Sequence, residues 1–375
     1  MNARVALALT LSAALPPCRP AASQQDPALL RARAILREVP LIDGHNDLPW
    51  EMRNRAGYSF DSLDISKPQP GLMTDIARLR AGGVGAQFWS TYSPGDIGEG
   101  AARVGMEQGD IVHRMVERYP DAFEMAGTAG DIVRIHRAGK VASMLGLEGG
   151  HMIENSLGLL RAFYRDGVRY MTLTHNVNTA WADAAADTAE HGGLTRFGEE
   201  VVREMNRLGM LVDLSHVSDS TMWDALRVAE APVIYSHSSS RHFVPHPRNV
   251  PDDIARAVAK NGGVIMVTFV PDFISMPAYQ WGLRQDSLAR RLWTALRDSA
   301  AVRDSIRAWR RANPIPRPGL SVVADHIERL RDVAGVDHVG LGSDFDGISS
   351  TPAGLEDVST FPALLAELIR RGWSD

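Results

Sequence analysis

Residues 41–50 read Leu-Ile-Asp-Gly-His-Asn-Asp-Leu-Pro-Trp, and the interpretation of the whole chain starts from this stretch. The apolar run at 39–42 predicts a buried strand that ends in His45-Asn46-Asp47. Because residues i and i+2 of a strand point to the same side, His45 and Asp47 project together from the strand end. An imidazole and a carboxylate aimed at one point form half of a site for zinc or a similar metal. A lone His-x-Asp pair is weak evidence, so the interpretation depends on how the later strands end.

Composition sets the class of protein. The 375 residues are enough for one large domain or two medium ones. A hydrophobic content of 45% and a charged content of 23% are ordinary for a soluble globular chain. The formal charge of −5 gives no electrostatic footprint for nucleic acid, so no nucleic-acid partner is expected.

The N-terminus has the pattern of a targeting segment. Arg4 precedes an apolar run at 5–15 that is too short to span a bilayer, and small residues follow at 21–23. This pattern predicts a signal peptide at 1–22 that is removed from an exported chain. Residues 23–375 are then expected to form a single domain without a transmembrane span.

Cys18 is the only cysteine, and it lies inside the predicted signal peptide. The mature chain would therefore have no disulfide. A lipid anchor at Cys18 is the alternative, but Leu15-Pro16-Pro17 lacks the small residue that usually precedes a lipidated cysteine. Export of a cysteine-free chain indicates a bacterial periplasm or the cell exterior.

Apolar runs alternate with amphipathic segments along the rest of the chain. Strands are predicted at 39–45, 84–91, 141–148, 168–175, 210–216, 232–237, 263–269 and 336–344. Helices are predicted at 72–81, 99–118, 156–166, 197–208, 218–229, 251–260 and 320–333. Eight strands alternating with helices predict an α/β fold of the (β/α)8 TIM-barrel type. The competing open doubly wound sheet should carry a glycine fingerprint after its first strand, and the sequence has none there.

One segment, 276–319, is long for a connection within such a barrel. Between Trp281 and Asn313 it contains eight arginines and three aspartates, and three prolines follow at 314–318. The pattern predicts a helical insertion. A solvated appendage is the simplest interpretation, with a lid, a dimer contact or a membrane-surface contact as the alternatives.

Polar residues able to bind metal recur at the ends of six predicted strands. In a (β/α)8 barrel these ends meet at one mouth, where active sites are built. A carboxylate that ends a buried strand, as Glu148 does, is costly unless it is paired or bound to metal. The alternatives without a functional role are that His175 is a buried histidine whose hydrogen bonds are all made within the core and that Asp344 is an aspartate of a turn. The strand-end residues are His45, Asp47, Glu148, His175, His216, His237 and Asp344.

From about residue 38 to 375 the sequence resembles the renal or membrane dipeptidases, the zinc dipeptidase family of the amidohydrolase-like barrels. The resemblance rests on several stretches taken together. They are Asp43–Trp50, Thr74-Asp75-Ile76, Gly83–Trp89, Glu148–His151, Leu173–Asn176, Trp181-Ala182-Asp183, Asp213–His216, Ser236–Ser239, Pro247–Asp253 and Gly342–Gly347.

The resemblance implies a role for each site residue. Five of them would bind two zinc ions, with His45 and Asp47 on the first, His216 and His237 on the second, and Glu148 bridging both. His175 would bind substrate and help stabilise the tetrahedral intermediate. Arg248 would hold the substrate's terminal carboxylate, and Asp344 would act as the acid/base residue. The implied activity is hydrolysis of free dipeptides, and a homodimer is implied as well.

The chemistry of these residue types agrees with that activity. Two zinc ions about 3.5–4 Å apart can share one hydroxide and lower its pKa toward neutrality. The planar fork of Arg248 suits a free carboxylate, which favours dipeptides over longer chains. Related barrels often use a carboxylated lysine as the bridge, but no lysine ends a predicted strand here.

Two alternatives and one departure from the family pattern stay open at the sequence level. The same site could act on another small carboxylate-bearing amide such as a β-lactam, or the chain could be an inactive metal-binding homologue. The family generally continues beyond the point where this sequence stops, and the helix that begins near Phe361 looks short. The sequence therefore leaves the closure of the barrel in question.

Overall fold

The computed structural model describes residues 26–97 and 100–375, so the predicted signal peptide and Cys18 lie outside the described residues. The strands are β1 Leu41–Asn46, β2 Val84–Tyr92, β3 Phe123–Met125, β4 Val141–Glu148, β5 Val168–Thr172, β6 Leu211–Asp213, β7 Ile234–Ser238, β8 Val264–Val267 and β9 Val339–Leu341. The helices are α1 Pro27–Glu38, α2 Leu48–Ala56, α3 Ile76–Gly82, α4 Ala101–Arg118, α5 Ala129–Arg137, α6 Leu157–Asp166, α7 Arg196–Leu208, α8 Asp219–Val228, α9 Asp252–Asn261, α10 Pro271–Ile274, α11 Met276–Leu296, α12 Ser299–Ala312, α13 Leu320–Ala334 and α14 Phe361–Arg370.

Eight of the strands form a closed parallel barrel. Their order around it is β1, β2, β4, β5, β6, β7, β8 and β9, and β9 pairs back to β1 at Asp43 and Leu341. The short strand β3 lies beside the first residues of β4. The predicted (β/α)8 fold is thus confirmed, and the open-sheet alternative is wrong.

The predicted strands at 210–216 and 336–344 are longer than the observed ones. After β6 the backbone of His216 takes a φ of 70°, and after β9 that of Asp344 takes a φ of 65°. Such left-handed residues cannot continue a strand ladder. Before β9, residues Val336–His338 form a single 3-10 turn. His216 and Asp344 therefore stand on short loops just beyond the strands, where their side chains can turn toward the barrel axis.

Glycines mark the points where helices pass into strands. Gly83, Gly167, Gly209 and Gly262 follow α3, α6, α7 and α9, all with positive φ, and each N–H bonds back to the last turn. A residue without Cβ adopts this conformation at little cost, so each helix ends within two residues of the next strand. These short junctions fix the strand order that brings the strand ends to one mouth.

The segment at 276–319 contains two helices, α11 and α12, as predicted for a helical insertion. They pack on each other through Trp281 and Trp309, whose ring centroids are 5.2 Å apart, and Trp281 Nε1 donates to Asn313 O at 2.7 Å. Ala278 is the one fully buried residue of these two helices, so the pair projects from the barrel. Across residues 26–97 and 100–375, no helix is both long and apolar enough to cross a membrane.

Candidate active site

The structure brings the eight predicted site residues together at the C-terminal mouth of the barrel. A cavity of about 660 Å³ opens there. Seven of the residues line it, and His45 lies fully buried beside them. The seven are Asp47, Glu148, His175, His216, His237, Arg248 and Asp344.

Glu148, the last residue of β4, stands between two groups of side chains. Its Oε2 lies 3.5 Å from His45 Nε2, which is itself 3.3 Å from Asp47 Oδ2. Its Oε1 lies 3.1 Å from His216 Nε2 and 3.5 Å from His237 Nε2. One carboxylate therefore faces a histidine–aspartate pair with one oxygen and a histidine pair with the other.

These contacts group the donor atoms into clusters able to hold a metal ion. Within each cluster the ligand atoms lie within 4.8 Å of one another. The clusters are His45, Glu148 and His237; Glu148, His175 and His216; and His45, Asp47 and Asp344. The nitrogen and oxygen donors suit a borderline cation such as zinc.

Hydrogen bonds show which nitrogen His45 and His237 offer. Tyr170 Oη lies 2.8 Å from His45 Nδ1 and donates to Gly44 O at 3.3 Å, so Nδ1 of His45 is the donor. Ser236 Oγ donates to Asp213 Oδ2 at 2.6 Å and lies 2.8 Å from His237 Nδ1, so that nitrogen also donates. Both histidines turn Nε2 toward Glu148, and metal-ligating histidines likewise donate through the nitrogen that does not bind the metal.

Two imidazole nitrogens face each other beside Glu148. His216 Nε2 and His237 Nε2 are 2.9 Å apart, and both lie near Glu148. Burial lowers the pKa of both imidazoles well below the usual range, so both are neutral with lone pairs available. At the other cluster, burial would lower the pKa of His45, but Tyr170, Glu148 and Asp47 outweigh it and raise that pKa. The surroundings of His45 thus favour a positive charge, and the neutral His216–His237 pair can offer nitrogen lone pairs to a metal ion.

Asp344 lies on the loop after β9. Burial, reinforced by the neighbouring Asp47, raises the pKa of Asp344 well above the usual range of a carboxyl group. Gly347 gives this carboxylate room, because a Cβ there would lie 2.5 Å from Asp344 Oδ1 and even closer to Asp47 Oδ2. The arrangement suits a group that exchanges protons.

Arg248 brings a cation to the same cavity. Its side chain is buried, its Nη2 donates to His237 O at 3.3 Å, and its Cζ lies 5.0 Å from the centre of the Phe273 ring. Burial lowers its pKa to about 10, which still leaves it charged at neutral pH. Among the described residues, no carboxylate approaches it within 4.0 Å. The guanidinium is therefore available to an incoming anion.

His175 lies three residues beyond β5. Its ring centroid is 4.3 Å from that of His216 and 4.7 Å from that of Tyr92. Its Nε2 lies 3.7 Å from Glu148 Oε1. The imidazole therefore borders both the metal cluster and the open cavity.

Sequence reasoning gave no role to three residues that support the site. Asp213, fully buried at the end of β6, accepts from Thr172 Oγ1, Ser236 Oγ and the Ser236 and Ser215 amides. Tyr170 contacts His45, and Ser236 contacts His237. Asp213 stands in a stretch that carried the resemblance, whereas nothing in the pattern of β5 distinguishes Tyr170 from a core residue.

A (β/α)8 barrel with histidine–carboxylate clusters at its strand ends defines a metallohydrolase-type enzyme. More particularly, the chain belongs to the membrane dipeptidase family, peptidase family M19, whose sequence profile matches residues 29–375. It is 41% identical over 362 residues to Dipeptidase verJ of Clonostachys rogersoniana, covering 93% of this chain and 83% of that protein.

A second relative and a solved structure agree with this assignment. Dipeptidase 3 of Rattus norvegicus is 41% identical over 357 residues, covering 93% of this chain and 64% of the rat protein, so the chain spans less than two thirds of that relative. The crystal structure of the probable dipeptidase PvdM from Pseudomonas aeruginosa has a TM-score of 0.81 at 21% identity, covering 92% of this chain and 93% of that one. The fold of the two proteins is the same.

Proposed function

We propose that this protein is an exported di-zinc dipeptidase that hydrolyses the peptide bond of free dipeptides. The observation that carries the proposal is the position of Glu148, which faces His45 with one oxygen and the His216–His237 pair with the other. Membership of the dipeptidase family supports the reaction type. His45 and Asp47 would hold one zinc, His216 and His237 the second, and Glu148 both.

Arg248 supplies selectivity for a free C-terminus. It is a buried cation without an ion-pair partner among the described residues, and it lines the same cavity as the metal cluster. A planar guanidinium binds a carboxylate through two parallel hydrogen bonds. A substrate anchored there would place its scissile bond near the clusters only if few residues separate that bond from the carboxylate, which favours dipeptides.

The chain's own groups would then carry the proton. When bound, the zinc ions would supply Lewis-acid polarisation of the scissile carbonyl and a lowered pKa for the attacking water. Asp344 would take a proton from that water and deliver it to the leaving amine, and burial, which raises its pKa, favours its holding that proton in between. His175, beside the cluster, would donate a hydrogen bond to the developing oxyanion.

Two measurements on the purified protein test the proposal. Zinc per chain is determined by mass spectrometry, and hydrolysis of L-Ala-D-Ala is compared with that of its C-terminal amide and its N-acetyl derivative, with and without chelator. We expect two zinc ions and chelator-sensitive turnover that is fastest on the free dipeptide. A folded protein without zinc, or one that prefers the amide, would overturn the proposal.

Export and assembly are parts of the same proposal with their own tests. Expression of the full sequence in a bacterial host should give a periplasmic product whose first residue lies near Ala22 or Ser23. A cytoplasmic product that keeps residue 1 would refute export. The homodimer implied by the resemblance stays a prediction that light scattering at several protein concentrations can decide.

A further inference from the structure

Two hydroxyl groups below the metal cluster set the orientation of one ligand histidine each. Tyr170, in the middle of β5, is fully buried in the barrel interior, with its ring centroid 5.0 Å from that of Phe88. Its Oη reaches across to β1, where it meets His45 Nδ1 and Gly44 O. Ser236, in β7, contacts the Nδ1 of its own neighbour His237.

The ring of Tyr170 fits into the barrel because the neighbouring residue on β4, Gly146, has no side chain. We call this space the slot at Gly146. Gly146 of β4 pairs in register with Tyr170. A Cβ at Gly146 would overlap the Cζ and Oη atoms of that ring. The absence of a side chain there lets the phenol lie flat against the β4 backbone, so its hydroxyl is held at one place under His45.

The direction of each hydrogen bond follows from the partners. Gly44 O can only accept, so the Tyr170 hydroxyl donates to it and accepts from His45 Nδ1–H. Asp213 accepts from Ser236 Oγ, which therefore accepts from His237 Nδ1–H. In both histidines the proton is kept on Nδ1, and Nε2 is the nitrogen that faces the cluster.

From these contacts, and from the proposed assignment of His45 and His237 to different ions, we infer that Tyr170 and Ser236 are positioning residues. Tyr170 would act on the position at His45 and Asp47, and Ser236 on the position at His216 and His237. The inference rests on the proposed metal site. Loss of such an outer contact typically lowers metal affinity about 10- to 100-fold. Because each hydroxyl contacts a different ligand, each deletion weakens one metal position and leaves the other largely intact.

The barrel offers a matched control for each deletion. Tyr235 of β7 is fully buried, and its hydroxyl has no hydrogen-bond partner. Ser143 of β4 is likewise buried with an unpartnered hydroxyl. Tyr235→Phe and Ser143→Ala remove the same atom from the same kind of surroundings without touching a ligand histidine.

The test is the number of metal ions bound per chain, measured by equilibrium dialysis of metal-free protein against buffered free zinc and, separately, cobalt. Tyr170→Phe and Ser236→Ala should each retain one tight ion per chain and bind the second about 10- to 100-fold more weakly. The two controls should match the wild type. The visible cobalt spectra of the two one-metal variants should differ, because the remaining ligand sets contain different numbers of imidazoles.

The possible outcomes separate the inference from the proposed function. A wild type that binds no metal defeats the proposed function. A wild type with two ions and variants that bind both as tightly as the controls do defeats the inference alone. Should Tyr170→Phe fail to fold, as judged by its thermal unfolding without metal, Ser236→Ala against Ser143→Ala still decides the question. In an Asp47→Asn background, Tyr170→Phe should lower the affinity of that position by less than it does in the wild type, because both changes act on the same ion.

Discussion

Replacement of Arg248 by methionine should make the protein more stable and much less active. The arginine is buried, its Nε has no hydrogen-bond partner, and no carboxylate of the described residues pairs with it. Methionine keeps an unbranched apolar stem against Phe273 and removes a charge that the free protein compensates poorly. Removing such a charge should raise the free energy of unfolding by about 1–3 kcal/mol.

The loss of activity can be worked out from the same contacts. A substrate carboxylate would gain two charge-assisted hydrogen bonds from the guanidinium, each contributing about 1.5–3 kcal/mol. Part of this gain offsets the hydration that the carboxylate gives up on binding. We therefore expect Arg248→Met to lose about 2–4 kcal/mol of transition-state stabilisation. This corresponds to a decrease in kcat/KM of about 30- to 1,000-fold for the free dipeptide.

The assay pairs urea unfolding without substrate with kinetics on L-Ala-D-Ala and its C-terminal amide. The decrease in kcat/KM caused by Arg248→Met should be far smaller for the amide than for the free dipeptide, because the amide lacks the second carboxylate oxygen. Arg241→Met is the control, since Arg241 pairs with Asp219 at 2.6 Å and does not line the cavity. If Arg248→Met is less stable and lowers kcat/KM equally on both substrates, the arginine has a purely structural role and the reasoning is refuted.

Three further predictions follow from the site and its surroundings. Asp344→Asn should keep both zinc ions and lose about 10²- to 10⁴-fold in kcat, the usual contribution of a general acid/base; unchanged kcat would remove Asp344 from the mechanism. Gly347→Ala should lower kcat with little change in thermal unfolding, because its Cβ would displace the Asp344 and Asp47 carboxylates; a variant with wild-type kcat would show that the loop yields without cost. His326 of α13 is fully buried, accepts from the Ser240 amide through Nδ1 and contacts Ile274 O through Nε2. Burial lowers the pKa of His326 to about 4, so the unfolded chain takes up this proton first as the pH falls, and the stability that depends on neutral His326 is lost between about pH 6.5 and 4. In urea unfolding, the free energy of unfolding of the wild type should fall by about 2–3 kcal/mol more than that of His326→Gln over that pH range, and parallel pH profiles would contradict this assignment.

Most helices and strands could be predicted from the sequence, because a hydrophobic run and the residues that start and end a helix recur in each β/α unit of the barrel. The predicted strand at 141–148 matches β4 residue for residue, and the predicted helix at 320–333 differs from α13 by one residue. The strand ends were less accessible. At His216 and Asp344 the backbone turns to positive φ while the side chains remain those of a strand-like pattern. Local composition does not report such a turn.

The site divides in the same way. Seven of the residues that line the cavity were predicted, six as strand-end residues and Arg248 through the resemblance alone, whereas other lining residues such as Tyr92 and Phe273 were not. Tyr170 was not identified, because its importance comes from a contact between β5 and β1 across the barrel interior. Sequence periodicity places a side chain on the inner face of a strand, but it does not say how far across the barrel that side chain reaches. Strand β3 was missed because Glu124 interrupts its three residues and Gly127 follows closely, so no apolar run marks it.

The slot at Gly146 has a consequence for how this protein can diverge. A larger residue at 146 is compatible with the barrel only if the ring at 170 becomes smaller, and a smaller residue at 170 leaves His45 without its hydroxyl partner. Single substitutions at either position thus carry a penalty that only a second change can relieve. Across descendants of this gene, we expect the two positions to vary as a pair, and lineages that give up the tyrosine to supply another acceptor beneath the first histidine.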